Sequence, residues 1–361
     1  MRRALAVPGR LLVRLPAWLG DCVMAEPLVR ACAERATAAH PLTLVGSARI
    51  GEALGWRAWP HVNFLALERG QSARVRDWRG HDTALLLDGS WRSAFVAWRA
   101  GIGERIGFAS GGRALLLTSA LTPALERGAT VPANGVSAAW PRRLPRPFAS
   151  SVIELATLVG LDVRARVPRI VSADEVTQRV SARFAAHGIT PESPCVLIHA
   201  GARANSAKGV PPDLWAAIAR GLRERGAPKI VLVCAPGEEA AARAVKQLVP
   251  EAVLFDDPPL AIDETVAAHA LAAFALAPDG GSRHLAQAAG ATPLVVVCGP
   301  TDPRHTADHG PRVRIVRTRV ECGPCHLETC PISGADAHAC MMRIDPTRVV
   351  DAAFELWCAP A

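Results

Sequence analysis

The sequence predicts an α/β protein made of two doubly wound domains, and three observations carry that expectation. The chain has 361 residues, about two domains' worth, and half of them are hydrophobic, enough for two cores. Short apolar runs alternate with helical-period segments along the chain, the pattern of βαβ units and parallel sheets. Several runs are continuous Val and Leu, as strands covered on both faces require.

Taken in order, RLLVRLP (10–16) reads as the first strand and 22–36 as the helix after it. PLTLVG (41–46) and DTALLLDGS (82–90) read as strands, with WRSAFVAWRAG (91–101) helical behind the second. Residues 128–148, with Pro132, Pro141, Pro145 and Pro147, read as a long loop, and 148–161 as a helix. A linker near 163–173 closes a first domain assigned to 1–170. In the second, assigned to 171–345, SPCVLIHAG is a strand and PPDLWAAIARGLRERG a helix opened by proline. KIVLVCAPG, AAFALAPDGGS and TPLVVVCGPT are strands, with EEAAARAVKQLV and RHLAQAAG as the helices between them. Residues 346–361 read as a terminal helix. The two domains are expected to face each other across a cleft.

Charge divides the chain. Residues 1–170 hold 23 Arg and no Lys against 12 acids, a balance of +11, whereas 171–361 balance at −3. An Arg-rich domain either attracts polyanions or presents a solvated face. The arginines are scattered, and no recognition motif or aromatic platform accompanies them, which argues against nucleic acid. No run reaches the roughly 18 apolar residues that span a bilayer. The opening MRRALAVPGRLLVRL is interrupted by Pro8, Gly9, Arg10 and Arg14, so a signal peptide is not expected. A cytoplasmic chain with mostly reduced thiols follows.

Ligands of open α/β sheets bind beyond the carboxyl ends of strands, which singles out four turns. In PAWLGDCV, Asp21 is either a helix cap or a reacting carboxylate. APDGGSRH places Gly280 and Gly281 before a helix whose free N–H groups suit a phosphate; the alternative is a plain glycine turn. Lys208 in HAGARANSAKG is a cation for a diphosphate or a surface lysine. Glu238 in CAPGEEA is a ribose ligand or a helix-dipole partner. A P-loop, a G-x-G-x-x-G and a D-x-D are all missing.

Taken together, these blocks resemble the heptosyltransferases of lipopolysaccharide inner-core assembly, glycosyltransferase family 9. LPAWLGDCVMAEPLVRA is similar to the family's N-terminal signature, and LLLDGSWRSAFVAWRAGIGERIGFASGGRALLLT (85–118) to its second block. HAGARANSAKGVPPDLW and APDGGSRHLAQAAGATPLVVVCGPTDPRHT are similar to the third and fourth. The order is kept from about 15 to 350, and the flavour is nearer to the heptosyltransferase II type. The resemblance implies the GT-B fold, two Rossmann-like domains, and an inverting, metal-independent transfer of heptose from ADP-heptose to a Kdo-bearing lipid A acceptor. It implies a cytoplasmic enzyme, open to peripheral association with the inner-membrane surface, needing no cofactor and binding no nucleic acid. It makes Asp21 the general base and Lys208 the lysine that neutralises the leaving diphosphate. Asp279, Gly280, Gly281, Ser282 and His284 match the diphosphate turn, and Glu238 a ribose contact. Arg14, Arg92, Arg105 and Arg113 are acceptor-side candidates. Two departures touch donor identity. Gly280 replaces a Ser or Thr, and Gly209-Val210 replaces Arg-Trp, with Arg203 offered as a substitute phosphate contact. Another nucleotide sugar is the alternative donor.

ECGPCHLETCPISGADAHAC (321–340) carries Cys322, Cys325, Cys330 and Cys340 as C-x2-C-x4-C-x9-C. Such spacing could hold a structural zinc, but it lacks the second close pair of a zinc ribbon. Reduced thiols or occasional disulfides are the alternative. The other six cysteines read as small core residues.

Overall fold

The computed structural model describes residues 9–67, 74–110, 112–122, 146–164, 167–290, 292–306 and 312–359. They form two compact units, the first ending at Arg169 and the second beginning at Ile170. Most of the long loop expected at 128–148, and the first eight residues, lie outside the described residues.

The first unit runs β1 (Leu11–Arg14), α1 (Leu19–Ala33), β2 (Leu42–Gly46), α2 (Ala48–Leu54), β3 (Val62–Ala66), α3 (Val75–Trp78), β4 (Thr83–Leu86), α4 (Trp91–Arg99), β5 (Glu104–Phe108), β6 (Ser119–Leu121) and α5 (Phe148–Leu158). The second runs α6 (Asp174–Ala185), β7 (Cys195–His199), α7 (Pro212–Glu224), β8 (Lys229–Val233), α8 (Glu239–Leu248), β9 (Val253–Phe255), α9 (Ile262–His269), β10 (Ala272–Pro278), α10 (Gly281–Ala289), β11 (Leu294–Cys298), β12 (Val313–Arg317), α11 (Ala339–Met342) and α12 (Pro346–Cys358).

Each unit holds a six-stranded sheet, ordered β3-β2-β1-β4-β5-β6 and β12-β11-β10-β7-β8-β9. All the strand pairs are parallel. Counted within each unit, the order is the same, 3-2-1-4-5-6. Its reversal point falls between β1 and β4, and between β7 and β10, which is where such sheets open a crevice for ligands.

Side chains alternate across the strands, and helices cover both faces. In the first sheet Val13, Leu44 and Leu85 pack with Leu28 and Leu155 on one side. Their neighbours Leu12, Val45 and Leu86 pack with Trp78, Ala94 and Ala97 on the other. In the second, Ile198, Leu232 and Leu276 meet Trp215, Ile218 and Val349, while Leu197, Val231 and Ala275 meet Phe184 and Ala268. Burial, not propensity, holds α1 together. It contains Pro27, which costs about 3 kcal/mol in a helix interior. Its fully buried Leu28 and Val29 each return roughly 1.5–3 kcal/mol.

Two differences from the sequence reading bear on the site. α1 begins at Leu19, three residues earlier than expected, so Asp21 lies in its first turn. The edge strands β3, β6, β9 and β12 and the helices α2, α6 and α9 escape periodicity because they are short or half-exposed. Among the described residues, no helix is long and apolar enough to cross a membrane.

Candidate active site

The second unit's reversal point is built around Asp279, the residue after β10, which is only 4% exposed. One turn on, the fully buried Arg283 places Nη1 3.1 Å from Asp279 Oδ1. The Thr301 hydroxyl donates to Oδ2. Burial pushes the Asp279 carboxyl up, but Arg283, the Thr301 hydroxyl, Lys208 and His284 outweigh it and hold the group below the usual carboxylate range. The anchored carboxylate aims α10, which opens at Gly281 with no acidic residue in its first turn. Free N–H groups and the positive dipole end there favour an anion. Ser282 sits half-buried in that turn, and His284 is buried behind it. The Gly280 N–H donates to the Pro278 carbonyl (2.8 Å), so the amides left for an anion begin at Gly281.

The turn after β7 converges on the same region. A Cβ at Gly201 would stand 2.6 Å from Glu238 Oε2 and 2.8 Å from Cys234 Cβ, so only glycine lets the Glu238 carboxylate lie against this turn. Lys208 is half-buried, and its charge acts on both Asp279 and His326. Its neighbour Ala207 donates its amide to the Glu328 carbonyl (2.7 Å), which ties the turn to the cysteine-rich loop. Arg203 is exposed on the same turn.

In the first unit, Trp18 takes the N-cap position of α1, and Asp21 is the third helical residue, partly exposed. Asp21 is therefore not the N-cap. At the carboxyl edge of the neighbouring strand lies a buried network centred on Asp88, the second residue after β4. Ser93 Oγ donates to Asp88 Oδ1 (2.6 Å), and Arg14 Nε stands 3.6 Å from Oδ2. Arg113, fully buried, donates to the Asp88 carbonyl (2.6 Å) and places Nη1 3.6 Å from Oδ1. Here burial prevails over Arg14, Ser93 and Arg113, and the Asp88 carboxyl is pushed up. A Cβ at Gly107 would lie 2.7 Å from Arg113 Nη2, which explains the glycine of the Arg-Ile-Gly block.

Two of the four acceptor-side arginines are thereby corrected. The Arg113 guanidinium is sealed beneath the turn by backbone carbonyls. Arg105 starts β5, at the opposite end of the strand from the carboxyl edge, and spends its guanidinium on the carbonyls of Leu116, Ile102 and Gly103. Arg14 ends β1, and Arg92 is exposed at the start of α4, so both stay at the carboxyl edge.

A family model, glycosyltransferase family 9 (heptosyltransferase), matches residues 146–335. The chain belongs to glycosyltransferase family 9. No curated protein sequence matches it. Among solved structures, the Escherichia coli ADP-heptose lipopolysaccharide heptosyltransferase II is 23% identical, with 96% of this chain and 98% of that one covered at a TM-score of 0.69. A family 9 glycosyltransferase from Veillonella parvula is 16% identical over 99% of both chains, at 0.73. E. coli heptosyltransferase WaaC with ADP-2-deoxy-2-fluoro heptose is 16% identical over 86% of this chain and 94% of that one, at 0.59. These share the two-sheet α/β fold of GT-B type, and the chain is a glycosyltransferase.

In this glycosyltransferase the cysteine-rich loop meets the turns after β7 and β11. Cys322, Cys325, Cys330 and Cys340 line one pocket with Asp336 and His338. Burial, then its neighbours Cys325, Cys322 and Cys330, push the Cys340 thiol up to about 11. All four are free thiols. Among the described residues, no group of three or more His, Cys, Asp or Glu is arranged to hold a metal ion. The spacing that could hold a structural zinc thus meets no ready ligand set among the described residues.

Three residues of the candidate site escaped the sequence reading. Asp88, Arg283 and Thr301 act through buried partners. His326 sits with φ at +58°, accepts the Asp302 N–H on Nε2 (3.3 Å) and stacks edge-on against His305. Burial first, then the His305 charge, lowers its pKa. The one legible sign was Arg283 itself, four residues after Asp279 in the first turn of α10.

Proposed function

We propose that this glycosyltransferase moves a heptose from ADP-heptose to an inner-core sugar of lipopolysaccharide, with inversion and without a metal ion or cofactor in the reaction, at the cytoplasmic face of the inner membrane. The observation that carries the donor half is the Asp279 turn: an ionised buried carboxylate, an anion-seeking helix start and the Lys208 charge, all on one reversal point. The diphosphate sits against Gly281 and Ser282, Lys208 offsets its charge, and Glu238 meets the ribose. The acceptor hydroxyl attacks the anomeric carbon while its proton passes to Asp21. The bond from that carbon to the diphosphate oxygen breaks with its electrons on ADP. A positioned base of this kind contributes roughly 10²–10⁴-fold. Lys208 and the α10 dipole do for the leaving group what a metal held by a D-x-D would do, and the sequence has no D-x-D. Arg92, exposed at the carboxyl edge, and the partly buried Arg14 beside Asp88 suit the carboxylates and phosphates of the acceptor.

Gly280 and Gly209 depart from the family pattern, which keeps another nucleotide sugar as the rival donor. A screen of nucleotide sugars with a delipidated inner-core acceptor, read by product mass, tests the assignment. Addition of one heptose is the expected result. A different sugar in the product replaces the donor, and ADP binding with no product from any donor overturns the reaction.

A further inference from the structure

Helix α4 turns an aromatic face outward. Trp91, Phe95 and Trp98, spaced i, i+4 and i+7, stack in sequence with ring centroids 5.1 and 5.7 Å apart. Trp91 is 51% and Trp98 48% exposed, while the side of α4 that packs on the sheet is Ser93, Ala94, Val96 and Ala97. Each exposed indole is followed by an exposed arginine, Arg92 and Arg99, and the Arg99 guanidinium lies 6.0 Å from the Trp98 ring. The turn 112–117, which packs against α4, adds Leu115, 94% exposed. Trp18, 55% exposed, follows β1, which pairs in register with β4, the strand that leads into α4. Neither α4 nor the turn 112–117 contains an acidic residue.

We infer that this face of the first unit docks on an anionic lipid bilayer. Indoles settle at the boundary between headgroups and acyl chains, where one end of the ring is apolar and the other wet. Arginines beside them meet lipid phosphates, and a basic unit of +11 is drawn to an anionic leaflet. The strip of Trp-Arg pairs lies along about 10 Å of helix, seven residues at 1.5 Å each. A sugar ligand asks for a concave site, whereas an outward helix face with a protruding leucine suits a planar surface. The inference rests on the surface of the first unit and does not depend on which sugar is transferred.

The full chain is sedimented with vesicles of phosphatidylglycerol and phosphatidylcholine mixed, and of phosphatidylcholine alone, at low and high salt. Wild-type protein is expected to pellet with the anionic vesicles, and to do so less at high salt. The Trp98→Ser/Leu115→Ser variant is expected to lose at least tenfold in vesicle affinity, with circular dichroism and turnover on delipidated acceptor unchanged. Arg99→Gln is expected to reduce the preference for anionic over neutral vesicles about threefold or more. Should the double variant fail to fold, quenching of wild-type tryptophan fluorescence by brominated lipid gives the same reading. Wild-type protein that stays in the supernatant overturns the inference. So does a double variant that binds vesicles like wild type, one whose only defect is a raised KM for soluble acceptor (a sugar platform), or one that only loses self-association.

Discussion

The two units place a similar short sequence at the same point of the same topology, yet use it differently. After its fourth strand the first unit has Asp88-Gly89-Ser90, and the second has Asp279-Gly280-Gly281-Ser282. Each aspartate is buried, accepts from a hydroxyl (Ser93 or Thr301) and faces a fully buried arginine (Arg113 or Arg283). The carboxyl is pushed up in the first and held down in the second. The difference comes from what surrounds the core of the motif. At Asp279 the arginine approaches to 3.1 Å, and Lys208 and His284 add positive charge. At Asp88 the arginine stands at 3.6 Å and spends its closest hydrogen bond on a carbonyl. One motif therefore braces a turn, and the other braces a turn with more positive charge around it, the seat we propose for the diphosphate.

Five substitutions break or sharpen this comparison. Asp21→Asn, which removes the one carboxylate assigned to chemistry, is expected to lower kcat by roughly 10²–10⁴-fold while calorimetric ADP affinity stays at the wild-type value; unchanged turnover would return Asp21 to a structural role. Asp88→Asn and Asp279→Asn each strand a buried arginine, at a cost of about 3–5 kcal/mol in denaturant unfolding. Only Asp279→Asn is expected to weaken ADP binding as well, and equal loss in both variants would dissolve the distinction between the two turns. Lys208→Ala is expected to reduce ADP affinity by about 10- to 100-fold, the range of a charged hydrogen bond, with stability nearly unchanged. Gly280→Ser is the mildest. Nothing lies within 4 Å of the added Cβ, and φ is −148°, so stability should move by no more than about 0.5 kcal/mol. If the hydroxyl reaches a phosphate, ADP binds a few-fold more tightly; weaker binding would show that the turn tolerates no side chain there.

Much of the site was legible because its turns interrupt strong apolar strands. The turn residues 199–209 and 277–284 stand out as polar, glycine-bearing breaks between Val-rich runs and helices, and that contrast is local. Arg113 and Arg105 were not legible. Both are arginines beside motif residues, and only the fold shows one sealed 25 residues from its partner Asp88 and the other at the far end of β5. The α4 face was not legible either. Aromatic residues at i, i+4 and i+7 have the period of a buried stripe. Yet the indole that fills that layer of the core is Trp78 from α3, fully buried, and α4 packs on the sheet through small residues.

The amino-acid sequence alone determined the class of fold, the two-domain division of labour in charge and the turns that carry polar chemistry, because strand and helix periods and glycine turns are properties of neighbouring residues. Tertiary structure alone decided the direction in which each buried aspartate is shifted, which arginines are spent on backbone carbonyls, that four cysteines line one pocket, and that α4 shows its tryptophans to solvent. Each of those depends on burial and on charges brought together from distant points of the chain, and neither quantity exists until the sheets have formed.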